Sequence, residues 1–279
     1  MDQTSELLRR RGFADFSSLP AEMQGRQRRW LMRAQNFTCE WFDCADDDAD
    51  FTFESRYETL LLAVSGRLRL EGTAVPADAF AILPAGRHVV AGDAGAIGLL
   101  IASQRADTTG RRMLNADSYA HPDARIAPTG HPFRRKQPLA KPQVLPIAAV
   151  MASPDKPRLK MLQTETLSIN IVDYSGPRDR TALSPHSHGE FEQASFAVHG
   201  SFVHHLRTPW GSNADQWRED EHVHAPSPSM VVVPVEVIHT TEGLGDGRHL
   251  LLDVFSPPRF DFIANGWVFN ASDYEMAGA

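Results

Sequence analysis

The chain has 279 residues, a formal net charge of −7 and a pI near 5.9, and a length that can bury one large core or two smaller ones. The acidic balance, without a long Lys/Arg block, excludes a nucleic-acid surface, and no apolar run reaches the length of a membrane span. The two cysteines, Cys39 and Cys44, make no disulfide framework and are expected as reduced thiols of a cytoplasmic protein.

In chain order, the N-terminus has no apolar leader, and residues 4–11 and 19–33 are compatible with short helices. Short β-branched and aromatic runs bounded by Gly, Pro and Asp follow at 51–53, 60–64 and 97–101. A stretch rich in Pro and basic residues, His131-Pro132-Phe133-Arg134-Arg135-Lys136-Gln137-Pro138 and on to Pro146, reads as a solvated linker. Strand-like runs resume at 167–172, 202–203, 231–233 and 250–255. Aromatic additions carrying Trp210, Trp217 and Trp267 either narrow a pocket or pack between modules.

The first half repeats in the second, and the match lies in the punctuation. Residues 58–66, ending Ala63-Val64-Ser65-Gly66, align without gaps on 192–200, ending Ala197-Val198-His199-Gly200. Phe80-Ala81-Ile82-Leu83-Pro84 parallels Met230-Val231-Val232-Val233-Pro234, and a histidine follows each, His88 and His239. The expected architecture is therefore all-β, with two barrels in tandem. Residues 1–125 form a degenerate first barrel, 126–160 a linker, and 161–279 the second barrel. Closure would remove exposed strand edges.

The second copy carries the chemistry. In an extended segment His186 and His188 point to one side, and His239, after the Pro-containing turn, can meet them across a barrel interior. Imidazoles in that number suit a divalent ion such as zinc, nickel, manganese or iron. Carried onto the first copy, the ungapped register places Thr52 and Glu54 at the His186 and His188 positions and Thr59 at that of Gln193, so no metal site is expected there. His88 is then a satisfied barrel residue. A second His-x-His, His222 and His224, follows an acidic stretch and reads as a solvated loop.

His-x-His with a later amide or carboxylate and Gly, then a Pro-containing turn ending in His, resembles the two motifs of the cupin superfamily, and the repeat makes the chain similar to a bicupin. The resemblance implies tandem double-stranded β-helix (jelly-roll) barrels and one divalent metal ion in the C-terminal barrel. Its spacing selects Gln193 over Glu192 as fourth ligand, since parity forbids both from facing inward. Residues 251–261, from Leu251 through Asp253 to Ser256-Pro257-Pro258-Arg259, further resemble the closing strand of small cupins that linearise unsaturated uronates. That likeness implies a proton-carrying Asp253, with a second-sphere role as the alternative, and an Arg259 able to fork onto a substrate carboxylate. His205 and Arg207, or else His204, face inward on the strand after Gly200 and are further substrate-binding candidates.

These readings converge on a metal-dependent enzyme that isomerises, tautomerises or eliminates on a small hydroxylated acid. A non-haem iron dioxygenase and a non-catalytic ligand-binding cupin are the alternatives. The expected partner is a small molecule, with no nucleic acid and no membrane, and with room for a homo-oligomer.

Overall fold

The computed structural model describes residues 9–277 other than 48, 120 and 131. It is all-β, two jelly-roll modules in tandem, each a large sheet facing a small one. In the first module the small sheet orders Ala49–Ser55, Gly86–Gly92, Leu68–Leu70 and Thr73–Val75. The large sheet centres on Ala79–Leu83, Thr59–Ser65, Ile97–Ala102 and Thr38–Cys44. In the second module Ser229–Val233, Gln193–His199, Arg248–Phe255 and Ser168–Ser175 form the middle of the large sheet. Glu221–Pro226, Ser201–Arg207 and Ile238–Leu244 form the small one. The expected closure into barrels is not found: among the described residues the facing sheets stay separate hydrogen-bonded units.

Alternation decides which side chains line each interior. Ala49–Ser55 reads buried, exposed, buried throughout, so Phe51, Phe53 and Ser55 point in. Phe51 and Phe53 join Phe42, Leu61, Leu68 and Leu100 in the first interior. The opposite faces of the two large sheets, including Trp41, Leu60, Leu62, Phe196, Val232 and Leu252, meet in one core between the modules. The aligned glycines explain the shared punctuation. Gly66 and Gly200 take φ of +69° and +91°, and a Cβ on either would come within 2.8 Å of backbone, at Ala96 Cα and Arg248 O.

Three expectations change. Residues 19–33, compatible in sequence with a short helix, hold strands Glu22–Gln24 and Gln27–Arg33, because Gln27, Arg29 and Leu31 turn inward at period two; residues 4–8 lie outside the described ones. Glu221–Pro226 is a strand, so His222 and His224 are exposed residues on its outer face and not loop residues. The stretch read as linker carries Gln143–Pro146, which adds an edge strand beside Ala79–Leu83 of the first module. Conversely, Gly12–Asp15 pairs with Ser229–Val233 of the second. The basic run pairs as well: Phe133–Arg135 lies against Tyr274–Met276, and Arg135 bonds Glu58 Oε1 at 2.5 Å.

Candidate metal centre

His186 lies in an extended segment bridged to the start of Ile238–Leu244, with His186 N–H to His239 O at 3.0 Å and the reverse bond at 2.7 Å. That bridge brings the two imidazoles together, their rings tilted by 51°, and the i+2 spacing adds His188 from the same side. The ligand atoms of the three histidines lie within 4.8 Å of one another, a grouping that could hold a metal ion. Their rings are 4.5 to 5.3 Å apart by centroid.

Hydrogen bonding sets which nitrogen is free. His186 Nδ1 is 2.8 Å from Ser184 O and His239 Nδ1 is 3.0 Å from Val237 O. A carbonyl only accepts, so each Nδ1 carries the proton and each Nε2 keeps its lone pair. Gln193 enters from its own strand with Oε1 3.1 Å from His188 Nε2 and 3.2 Å from His239 Nε2. Its amide nitrogen donates to Ser195 Oγ and to Asp253 Oδ1, both at 2.9 Å. Gln193 Oε1 and His239 Nε2 are thus two acceptors pointed at each other with no proton between them. Such a pair is repulsive alone and is satisfied by a cation, so this donor set fits a divalent ion.

Electrostatics agree with neutral imidazoles. Burial, then Arg259 and the other two histidines, hold His188 down to about 3, and burial first, then His186, brings His239 to about 4 against the bond to Val237. Burial pushes the Asp253 carboxyl up to about 6 against hydrogen bonds from Ser195 and Gln193.

The other candidates are scattered. Glu192 turns away from the cluster, accepting from Gln35 N–H at 2.6 Å and Tyr119 O–H at 2.9 Å. Arg259 reaches the rim, where Nη1 faces His188 Nδ1 at 3.2 Å and its plane lies over Phe262, while Nε and Nη2 fork onto Asp261. Because arginine only donates, His188 Nδ1 accepts at that contact, so ligation through Nε2 would shift the His188 proton to Nδ1 and release Arg259. Arg207 lies on the outer surface, forked onto Asp220. His205 also faces outward, against His222 Nδ1 at 2.7 Å and Glu242 at 3.2 Å. The inward member of those candidates is His204, buried, with Nδ1 bonded to Thr241 and Nε2 without a partner among the described residues; the sequence left the parity of this strand open. Trp210 and Trp217 stack on each other at 4.5 Å and stay exposed, so they do not pack between the modules.

In the first module the register is shifted by one residue. His88 pairs with Phe53 as His239 pairs with His186, so Phe53 and Ser55, not Thr52 and Glu54, occupy the two histidine positions. The loop to Glu58 is one residue shorter than the loop from His188 to Glu192, a gap that an ungapped alignment hides. His88 is satisfied by Glu71 and Pro84 O, both at 2.8 Å. Inside this module Glu40 sits among guanidiniums, with Arg105 and Arg111 each at 2.6 Å.

No family model matches the chain, and no curated protein matches it in sequence. Solved structures do. The oxalate decarboxylase of Lactobacillus farciminis, as a formate complex, is 16% identical with a TM-score of 0.60, covering 95% of this chain and 92% of its own. Bacillus subtilis oxalate decarboxylase, a protein with Mn(II) centres, is 11% identical with a TM-score of 0.58, covering 93% and 79%. AerE from Microcystis aeruginosa is 9% identical with a TM-score of 0.57, covering 86% and 97%. At these identities the likeness is one of fold, and the fold of this chain is the tandem cupin fold.

Proposed function

We propose that the protein is a metal-dependent enzyme performing non-redox proton transfer on a small hydroxylated acid, with the ion held by His186, His188, His239 and Gln193. The observation that carries this reading is the neutral Gln193 oxygen, not the Glu192 carboxylate, turned toward the imidazoles. A divalent ion held by those four neutral ligands would keep its full formal charge and would supply Lewis-acid polarisation to a bound hydroxyl or carbonyl. Asp253 then takes and returns a carbon-bound proton beside it. Its Oδ1 is committed to Gln193 and Ser195, which leaves Oδ2 for that role. Phe191, Phe255 and Phe262 surround Arg259, whose guanidinium would meet a substrate carboxylate by exchanging its present partner Asp261 for it. Oxalate, the acid of the two decarboxylases that share this fold, supports a small carboxylate as substrate class, and the closing-strand resemblance supports a sugar acid.

The test is solvent exchange. Protein loaded with Zn(II) should wash deuterium from D2O into the carbon next to the carbonyl or hydroxyl of a responsive hydroxy acid, without consuming oxygen. His239→Ala should bind less than a tenth of an equivalent of metal, and Asp253→Asn should stop exchange. Oxygen consumption with Fe(II) in place of exchange would instead establish the dioxygenase.

A further inference from the structure

An amide has two chemically different ends, and only one of them can face a cation. Gln193 can place its oxygen toward the histidines only if something on the other side prefers its nitrogen. Asp253 Oδ1 and Ser195 Oγ do so, and Ser195 donates its own proton to the same Asp253 oxygen at 2.6 Å. The hydroxyl's single proton is thereby spent on the carboxylate, so toward Gln193 the hydroxyl can only accept. Both neighbours of the amide nitrogen are therefore acceptors, and the reversed amide would set its oxygen against them.

The first module lacks the whole device. Leu61 and Leu100 face each other across its sheet at the register where Ser195 faces Asp253. Thr59 stands where Gln193 stands, and its hydroxyl has no hydrogen-bond partner among the described residues. The module with the histidine cluster also has the orienting pair, and the module without the cluster has two leucines.

We infer that Asp253, with Ser195, is a positioning residue that fixes the amide orientation of Gln193 and so makes a neutral side chain a ligand. The inference rests on the metal-binding reading above and assigns Asp253 a task separate from proton transfer. A carboxylate needs no such orientation, because its two oxygens are equivalent. It follows that Gln193→Glu should matter differently with and without Asp253.

The experiment is a double-mutant cycle in the full chain, reading Zn(II) affinity by competition with a chromophoric chelator, alongside melting of the metal-free proteins. Asp253→Leu should weaken Zn(II) binding about 10–100-fold, the usual scale for a partner of a metal ligand. Asp253→Asn, whose Oδ1 still accepts, should bind like the wild type even though it does not turn over. The affinity gained on adding Gln193→Glu should be at least about tenfold larger in the Asp253→Leu background than in the wild type. Equal gains in both backgrounds would overturn the inference while leaving the metal site standing. A wild type that binds no Zn(II) would overturn both. Should Asp253→Leu not fold, Asp253→Ala takes its place in the same cycle.

Discussion

Gln193 and Glu192 are neighbours with opposite assignments, and the repeat supplies a control for both. Glu192 accepts from Gln35 N–H and Tyr119 O–H, while its equivalent Glu58 accepts from Glu165 N–H at 3.2 Å and Tyr274 O–H at 2.8 Å. Each glutamate is thus held by a backbone amide and a tyrosine from outside its own module, and both carboxyls are pushed up by burial. These are latches, which accounts for a glutamate in both copies when only one copy has the histidines. Glu192→Ala strands two buried donors, at about 1–3 kcal/mol. It should lower the melting temperature by roughly 2–10 °C while leaving metal stoichiometry unchanged. Gln193→Ala should do the reverse. Metal analysis and thermal melts on the two variants check the pair.

At the scale of elements, what the sequence showed and what it hid divide along local and non-local lines. The common side of His186 and His188 follows from parity along one segment, so it was legible; parity also forbids Glu192 and Gln193 from both facing inward, but the choice between them came from the spacing of the motif the sequence resembles. The first module's register was not legible, because a one-residue loop deletion between Ser55 and Glu58 leaves the flanking pattern intact and flips every side chain before it. Nor was the Gln27–Arg33 strand, whose inward Arg29 is buried and therefore breaks the alternation of apolar residues. What it reaches is the cluster that fills the first module. Burial would raise the Glu40 carboxyl, but Arg105, Arg29 and Arg111 outweigh it and hold it at about 2. Removing one partner of a buried ion cluster costs about 3–5 kcal/mol, so Glu40→Gln should be strongly destabilising at pH 7. The folded pKa lies below the ordinary 4.5, so this contribution is complete above about pH 4.5 and is lost as pH falls toward 2. Denaturant midpoints of wild type and Glu40→Gln should therefore draw steadily closer as pH falls from 4.5 toward 2. A gap that stays constant across that range would remove Glu40 as its cause.

Across the whole molecule the modules are exchanged more than joined. The chain's first described strand, Gly12–Asp15, finishes the second module's large sheet, and Gln143–Pro146, beyond the first module, finishes the first module's. Tyr119 follows the first module and latches the second, while Tyr274 follows the second and latches the first. Such pairings span most of the chain and leave no local trace, which is why a boundary at residue 160 looks natural in the sequence and cuts through a shared structure. The large-sheet faces then bury Phe196 against Trp41 at 5.5 Å and Phe16 at 5.4 Å, in a core that belongs to neither module alone. A common core and crossed edge strands couple the two halves, so the metal-free protein should unfold in one calorimetric transition. Phe196→Ala opens a cavity in that core and costs about 3–5 kcal/mol. It should move the single transition down by roughly 5–15 °C without splitting it. Two resolved transitions, with the variant shifting only the one that carries the histidine cluster, would mean that the modules hold their folds independently. The first module would then be a neighbour of the metal centre and no part of what keeps it assembled.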